Sequence, residues 1–491
     1  MFNMNNYQLL CLAYVTFGSV LYGYDTAITT SVLAYDSFLT YFKLNSNTIG
    51  AFNSTYYATC TIGNVILWYL PDKIGRIRTI QVACVINVAA IVLQAAAQNY
   101  AMFLVGRAIG GLCSGMICTI CPIYASEISP PHIRGRVSMV YAMNVSAAYA
   151  ITEWLSGLGL FYINGNANWR VLFALQAIPT AIVGIGSLWM PSSPRWLVMK
   201  DRLNEARAVI KRLHGGQVEG DVFVESEFLQ IQSQINLDRQ ESLGLMDILK
   251  RPSYRKRLLL IAGFFLFQQL TGTAALQAYQ VIIYKICGFS ASFSLVLVGI
   301  WGTVVCIAVG VMSPWIDRVG RRVIMFVAYG FMIPGSLLVV ILWARFDAGG
   351  DTDLGLAKGI IFGMFVVIFG FGGVTNTFAA CYAAEILPTS IRAVGVSAGF
   401  GIYMAFAVML IQVTPLAIEH ISWKFFLIFL ICDCIYIVIF YLFYPETKDK
   451  TLEEIEAIFG DEVAVTLEEA TKQVSKANEE AKSRSDHVED P

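Results

Sequence analysis

Charged residues are scarce in this sequence. Asp, Glu, Lys and Arg make up 14% of its 491 residues, whereas hydrophobic residues make up 56%. Soluble domains carry about a quarter charged residues, so this composition excludes an ordinary soluble globular protein. The mean hydropathy of +0.61 indicates instead a protein that crosses a membrane several times.

The sequence also lacks the features of a cleaved signal peptide and of a disulfide framework. The first residues, MFNMNNYQ, include no basic residue. This argues against a cleaved signal peptide, so we expect the first apolar stretch to remain as a membrane span. The 11 cysteines are odd in number and lie almost wholly within apolar runs. Both observations argue against a disulfide framework and favour a role as small hydrophobic side chains.

Apolar runs of about 20 residues, the length that crosses a bilayer, recur along the chain. We predict twelve spans, near 8–33, 49–70, 79–97, 101–125, 137–160, 170–190, 257–284, 292–316, 323–343, 358–384, 394–418 and 423–444. The sequence therefore predicts an all-α membrane protein with two six-helix halves, 1–190 and 257–444. A central loop with short helices, 191–256, joins them, and an acidic tail, 445–491, follows.

The basic residues are distributed unevenly about these spans. With the N-terminus inside, 27 of the 34 Lys and Arg residues fall in the inner loops and the tail. Cytoplasmic loops carry the excess of positive charge in membrane proteins. We therefore expect both termini, the central loop and the tail to be cytoplasmic.

The chain also repeats itself. DKIGR at 72–76 recurs as DRVGR at 317–321, and EISPPHIRG at 127–135 recurs as EILPTSIRA at 385–393. Each motif follows the second or the fourth span of its half, on the same side of the membrane. Two parallel six-helix repeats are typical of secondary transporters, in which the substrate site lies between the halves.

The repeated motifs supply candidate contacts for a cytoplasmic gate. In the D-x-x-G-R turns the glycine permits a tight turn, and the acid and the arginine can pair with charges on neighbouring helix ends. The alternative is that the arginines only hold these loops on the cytoplasmic side, where loops carry an excess of positive charge. We expect ion pairs of Glu127 with Arg134 and Arg136, and of Glu385 with Arg392. The candidate gate residues are Asp72, Arg76, Glu127, Arg134, Arg136, Asp317, Arg321, Glu385 and Arg392.

Seven motifs together identify a family resemblance. DKIGR, EISPPHIRGR, PSSPRWL (191–197), QQLTG (268–272), DRVGRR, EILPTSIR and YPETKDKTLEEIE (444–456) occur in this order. The set resembles the sugar porter family of the major facilitator superfamily, of a fungal type, from residue 8 to about 460. The resemblance implies the major facilitator fold of twelve helices, alternating access, and a hexose, pentose, disaccharide or polyol as substrate.

Asp25 lies in an apolar stretch, LYGYDTAITTS. By helical rise it is roughly 12 Å below the outer end of the first span, and Arg107 is roughly 9 Å below that of the fourth. An unpaired charge in a span costs about 2.5–3.5 kcal/mol or more, so we expect the two to pair. The resemblance implies proton coupling through this pair, and the alternative is a static ion pair that fixes helix packing.

Two other acids lie within predicted spans. Glu153 is about 10 Å below the outer face, and it either extends the Asp25–Arg107 cluster or lies in water near the rim. Asp433 lies near the middle of the twelfth span, and the sequence assigns it no role.

The expected substrate site departs from the family pattern. Gln268, Gln269 and Tyr279 match the family's polar and aromatic residues of span 7. However, the usual amides of spans 5 and 7 are replaced by Ala142 and Ala274, and the usual tryptophan of span 10 by Ala380. The resemblance therefore implies a larger pocket that binds glucose less well. Other polar residues can compensate, among them Gln277, Gln280, Asn376 and Thr377.

Two motifs of enzymes occur without the context that enzymes require. GVSAG at 395–399 matches a hydrolase nucleophile elbow, but it lies in a span and not between a strand and a helix. CTIC at 118–121 matches a redox pair, but it too lies within a span. We therefore predict neither an enzyme nor a cofactor or metal site.

These observations predict a carrier in the plasma membrane for a sugar or a similar polyhydroxy compound, either facilitative or proton-coupled. Its partners would be the small-molecule substrate, protons and lipid, and not nucleic acid. One alternative is a carrier of another small organic molecule, such as a secondary metabolite. A second is a sensor that binds sugar without transport, although the 47 residues after Tyr444 are short for a signalling tail.

Overall fold

The computed structural model describes most of the chain. The described residues are 6–67, 69–129, 134–214, 224–225, 228–229, 231–233, 235–236, 250–349, 353–375, 378, 382–383, 385–387, 389–448 and 458–460. Side chains are described throughout these ranges except at 134–136, 138, 158, 214, 313–314, 316–317, 389–390 and 392–394.

Twelve long helical segments account for most of the described residues, and each overlaps one predicted span. They are α1 (Asn6–Ser31), α2 (Ser46–Ile66), α3 (Arg76–Ala95), α4 (Tyr100–Ile128), α5 (Arg134–Trp154), α6 (Ala167–Trp189, in three pieces), α7 (Pro252–Ile286, in two pieces), α8 (Ala291–Val319), α9 (Arg321–Ala348), α10 (Leu354–Gly370), α11 (Thr389–Ile421) and α12 (Lys424–Phe443). Segments of π-helix extend α5 through Leu155–Leu160 and α10 through Phe371–Thr375.

Local sequence signals set where several of these helices begin. Asn45 and Thr48 form a capping box before α2, and the Asn99 side chain accepts from the Met102 backbone at the start of α4. Such side chains satisfy backbone N–H groups that have no partner within the helix. Gly272, with φ of +73°, ends the first piece of α7, and a Cβ there would collide with the Phe429 ring.

Three of the twelve helices are more polar than the others. In the described part of the chain, nine segments are long and apolar enough by length and composition to cross a membrane, and α1, α2 and α5 are not among them. These three carry buried polar residues, including Asp25 on α1, Asn53 on α2 and Glu153 on α5. The lower hydropathy therefore reflects polar groups that face other helices and not lipid.

Packing between helices arranges the bundle as two groups. Helix α1 packs on α5 and α4, α2 packs on α4, and in the second group α9 packs on α10 and α7 on α11. The groups meet where α2 packs on α11 and α5 on α8. The predicted all-α fold of twelve helices is thus confirmed. The ten cysteines that the structure describes form no disulfide with one another, and nine of them are buried or half-buried.

The central loop contributes a small packed unit at one end of the bundle. The predicted helix in this loop is present as Leu203–His214, after a short helix at Pro194–Met199. Trp196 donates from its indole nitrogen to the Asp72 carbonyl oxygen at 3.2 Å. This contact joins the PSSPRWL segment to the first D-x-x-G-R turn. We call this end of the bundle the inner end and the opposite end the outer end.

Candidate functional site

Asp25 and Arg107 form the predicted ion pair. Arg107 Nη1 lies 2.9 Å from Asp25 Oδ1, and both side chains are 0% exposed. Arg107 Nη2 also donates to Thr29 Oγ1, and Ser114 Oγ donates to Asp25 Oδ2. The guanidinium carbon lies 4.4 Å from the Tyr56 ring centroid. The pair is therefore charge-balanced, hydrogen-bonded and closed off from water.

The partners Thr29, Ser114 and Tyr56 were not predicted from the sequence. Thr29 is one helical turn after Asp25, and Ser114 is two turns after Arg107, so helical spacing was the available signal. A proton on Asp25 would remove the charge that holds the guanidinium. The contact between α1 and α4 at this point therefore depends on the charges of both side chains.

The paired glutamines of span 7 are buried between helices. Gln268 is 3% exposed and Gln269 is 2% exposed. Gln268 Nε2 donates to the Thr375 carbonyl oxygen at 3.5 Å, and its Oε1 has no hydrogen-bond partner among the described residues. An unpaired buried acceptor costs about 1–3 kcal/mol, which a hydroxyl-bearing ligand would offset.

The other predicted substrate residues differ in their surroundings. Tyr279 is 0% exposed, and its hydroxyl donates to the Ile411 carbonyl oxygen at 2.7 Å, so this group joins α7 to α11. Gln277 is half-buried, and its backbone carbonyl accepts from Thr30 Oγ1 at 3.0 Å. Asn376 and Thr377 lie outside the described residues, as does Ala380.

Polar contacts close the outer end between the two groups of helices. Ser54 Oγ donates to Gln412 Oε1 at 2.6 Å, joining α2 to α11. Lys285 Nζ, on α7, lies 3.0 Å from Asp36 Oδ1, just beyond α1. A cavity of about 330 Å³ at this end is lined by Leu33, Leu39, Ile49, Ile282, Lys285 and Ile286. The cavity lining is almost entirely apolar and includes neither Gln268 nor Gln269.

At the inner end, each D-x-x-G-R arginine pairs with the glutamate of the second motif of its own half. Arg76 Nη2 lies 2.9 Å from Glu127 Oε1, and Arg76 Nη1 lies 2.9 Å from Asp72 Oδ1. Arg321 Nη2 lies 2.6 Å from Glu385 Oε1. The two pairs occupy equivalent places in the sequence repeat. They hold helix ends together within one half and do not cross between halves.

The sequence predicted different ion pairs, of Glu127 with Arg134 and Arg136 and of Glu385 with Arg392. The side chains of Arg134, Arg136 and Arg392, and that of Asp317, lie outside the described residues. The motif glycines take up the expected turn conformation, with φ of +95° at Gly75 and +104° at Gly320. A gating role for these residues stays a prediction.

Glu446, in the YPETKDK segment, is an inner-end residue that the sequence did not single out. Its carboxylate accepts from the backbone N–H groups of Arg321 and Arg322, at 2.9 and 2.8 Å. Burial raises the pKa of Glu446, but backbone hydrogen bonds from Arg322, Lys448, Arg321 and Thr447 outweigh it, so the pKa is lower than that of an ordinary glutamate. The carboxylate thus caps the start of α9.

Two acids within spans have no ion-pair partner among the described residues. Glu153 is 0% exposed, so it does not lie in water near the rim. Asp433 is 1% exposed, and its Oδ2 makes no hydrogen bond within the described structure.

Comparison with known proteins identifies the family. The family model described as "Sugar (and other) transporter" matches residues 11–459. This chain belongs to that family. It is 30% identical to the MFS-type transporter criB of Aspergillus cristatus, over 94% of this chain and 96% of the relative. It is 28% identical to the arabinose-proton symporter of Bacillus subtilis, over 90% of this chain and 93% of the relative.

The fold agrees with this assignment. The inward-open structure of the xylose transporter XylE from E. coli matches with a TM-score of 0.76 at 19% identity, over 92% of this chain and 100% of XylE. The predicted major facilitator fold is therefore confirmed. The protein is a multi-pass membrane transporter of the sugar transporter family.

Proposed function

We propose that this protein carries a sugar or a similar polyhydroxy compound across the membrane by alternating access, with proton coupling. The two groups of helices meet through α2–α11 and α5–α8. Polar groups at these contacts can exchange partners between groups or with a ligand. In this arrangement the bundle is closed at its outer end by contacts such as Ser54–Gln412.

The observation that carries proton coupling is the fully buried Asp25–Arg107 pair. When Asp25 takes up a proton, the coulombic attraction to Arg107 is lost in a low-dielectric site, where it is strongest. Arg107 then keeps Thr29 and the Tyr56 ring as neighbours. Protonation therefore changes the relative stability of the arrangements of α1 and α4, which is what coupling requires.

The case for a polyhydroxy substrate rests on Gln268 and Gln269. Both lie on α7 beside helices of the second half, and Gln268 Oε1 is an acceptor without a partner within the described structure. An amide can donate and accept, so it suits neighbouring hydroxyls of one sugar. The relatives named for arabinose and xylose favour a sugar. From the sequence we propose that Gln277, Asn376 and Thr377 also contribute to substrate binding.

A second candidate is transport of a different small organic molecule. Ala142, Ala274 and Ala380 stand where the family pattern has two amides and a tryptophan. This removes hydrogen-bond donors and a stacking surface that a hexose would use. The relative criB carries a name that specifies no sugar.

We further propose that the carrier lies in the plasma membrane with both termini in the cytoplasm, and that it catalyses no reaction. The distribution of Lys and Arg supports this orientation. The inner end as defined above would then face the cytoplasm.

The test is an uptake panel of labelled pentoses, hexoses, disaccharides and polyols in cells without endogenous sugar carriers. We expect saturable uptake of at least one compound and accumulation that collapses when the pH gradient is removed. Uptake unaffected by the pH gradient would refute the coupling. Uptake of none of them, with normal surface expression, would favour the second candidate.

A further inference from the structure

Glu153 occupies an unusual place between the two groups of helices. It lies on α5, two residues before the π-helical segment that begins at Leu155. Its side chain is 0% exposed, and the polar groups that face its carboxyl group within the described structure, the Tyr149 hydroxyl and the Gly302 backbone N–H, are both neutral. A Cβ built on Gly302 of α8 would lie 2.5 Å from Glu153 Oε2. Helix α8 therefore closes directly over the carboxyl group.

A polar network that joins the two groups of helices adjoins this carboxyl group. The Tyr149 hydroxyl, one turn earlier on α5, lies 3.4 Å from Thr30 Oγ1 on α1 and 3.4 Å from Gln280 Nε2 on α7. Tyr284 donates to Gln280 Oε1 at 3.1 Å. The titratable groups that face Glu153 from the surrounding helices are Tyr149 on α5 itself and Tyr284 on α7.

No cation within the described structure balances a charge on Glu153. Arg107 is paired with Asp25, and Lys285, beside Tyr284, is paired with Asp36. A carboxylate removed from water with neutral neighbours and no counter-ion is so costly that the group neutralises instead. While α5 and α8 are packed as here, Glu153 is therefore the neutral acid.

We propose that Glu153 is a second proton-binding group of this carrier, which binds its proton when the outer end closes. When α5 and α8 separate at the outer end, water reaches the carboxyl group, its O–H bond breaks, and the proton passes to that water. Closure takes one proton back from the same water. This rests on the proposed alternating access and adds a site separate from Asp25.

The sign of the pH dependence follows from linkage. The closed state binds one more proton than the open state, so low outer pH favours closure and rising pH favours opening. For one proton the ratio of open to closed protein rises by up to tenfold per pH unit.

The experiment uses the full-length protein in detergent with a reporter cysteine, Ser31→Cys. Ser31 lies at the outer end of α1, is 0% exposed, and makes no hydrogen bond through its side chain within the described residues. The rate of modification by a membrane-impermeant thiol reagent is measured from pH 5.5 to 8.5, and the protein without the reporter corrects for native cysteines. The ratio of rates with Glu153 and with Glu153→Gln removes the reagent's own pH dependence.

We expect this ratio to rise with pH by up to tenfold per unit, because glutamine stays neutral and keeps the outer end closed. Asp25→Asn should leave the rise of this ratio with pH in place. Asp347→Asn, at the outer end of α9, should behave as the reporter protein without a second substitution. A constant ratio would overturn the proposal. So would a rise that disappears in Asp25→Asn.

A second variant covers the case in which Glu153→Gln does not fold. A Cβ at Gly302 would approach Glu153 Oε2 and the Ala150 Cα, at 2.5 and 2.7 Å. Gly302→Ala should therefore raise reporter labelling at low pH severalfold, and unchanged labelling would count against the proposal. None of these measurements uses transport, so failure to find a transported sugar would refute the proposed function and leave this result standing.

Discussion

Arg107 on α4 and Asp25 on α1 form an ion pair 2.9 Å long in which both side chains are 0% exposed. Each partner also has a hydroxyl neighbour, Thr29 for the arginine and Ser114 for the aspartate. Because water is excluded, neither charge can be removed without a large effect on the other. The contact between α1 and α4 therefore depends on both charges.

The first prediction concerns the stability of this pair. Arg107→Ala leaves the Asp25 carboxylate buried without a counter-ion, which costs about 3–5 kcal/mol. Adding Asp25→Asn removes that charge, so the double variant should be more stable than Arg107→Ala alone. Thermal unfolding in detergent measures both. A double variant no more stable than the single one would contradict the charge argument.

The second prediction concerns coupling. Asp25→Asn should abolish accumulation of substrate against its gradient, because the amide binds no proton at neutral pH. Counterflow exchange should persist in part, since it needs no net proton movement. Both are measured in proteoliposomes with an imposed pH gradient, with Asp347→Asn as the control. Accumulation that persists in Asp25→Asn would show that another group carries the proton.

The third prediction concerns the substrate site. Gln268→Ala or Gln269→Ala removes a hydrogen-bonding amide from α7, worth about 1–3 kcal/mol for a buried polar partner. The apparent KM should rise by roughly five- to a hundredfold. Gln98→Ala, before α4, is the control and should leave KM unchanged. Unchanged KM in both α7 variants, with normal expression, would place the site elsewhere.

The fourth prediction compares two partners of Arg76. The Glu127 side chain is 8% exposed, whereas that of Asp72 is 53% exposed. Glu127→Gln should lower the free energy of unfolding by about 2 kcal/mol, since it removes a charge from a buried hydrogen-bonded pair. Asp72→Asn should cost about 0–1 kcal/mol, as exposed pairs do. Equal effects would mean that burial does not set the strength of this contact.

The gate hypothesis adds a second measurement on the same pairs. Glu127→Gln combined with Glu385→Gln should increase modification of a reporter cysteine placed at the inner end, if these pairs stabilise a closed inner end. Normal expression with unchanged modification would refute the gate.

The fifth prediction concerns pH. Because backbone hydrogen bonds hold the pKa of Glu446 below that of an ordinary glutamate, its contribution to stability is present above about pH 4.3, the ordinary value. It is lost as pH falls through the lowered value in the folded protein. Glu446→Gln should therefore lower Tm at pH 7, and the difference from the unmodified protein should shrink below pH 4. A difference independent of pH would rule out the charge as its cause.

The amino-acid sequence by itself determined the membrane spans and the Asp25–Arg107 pair. The spans can be predicted from runs of apolar residues, because charged side chains are costly in the hydrocarbon core of the bilayer. The backbone there must form its hydrogen bonds within the helix. The pairing of Asp25 with Arg107 was predicted from their similar depths in the membrane. Opposite charges that pair there lower the free-energy cost of burying each other. The repeated motifs likewise predicted glycine turns, which appear at Gly75 and Gly320.

Only the tertiary structure decided which charged side chains pair at helix ends and which acidic side chains are buried away from water. Glu127 pairs with Arg76, 51 positions away, and Glu385 pairs with Arg321, 64 positions away. Contacts at helix ends depend on how helices pack, which spacing along the chain does not encode. The sequence was equally consistent with Glu153 lying in water near the outer rim, since depth along one helix does not reveal which other helices pack against the side chain. Its burial depends on α8, whose Gly302 lets the two backbones approach.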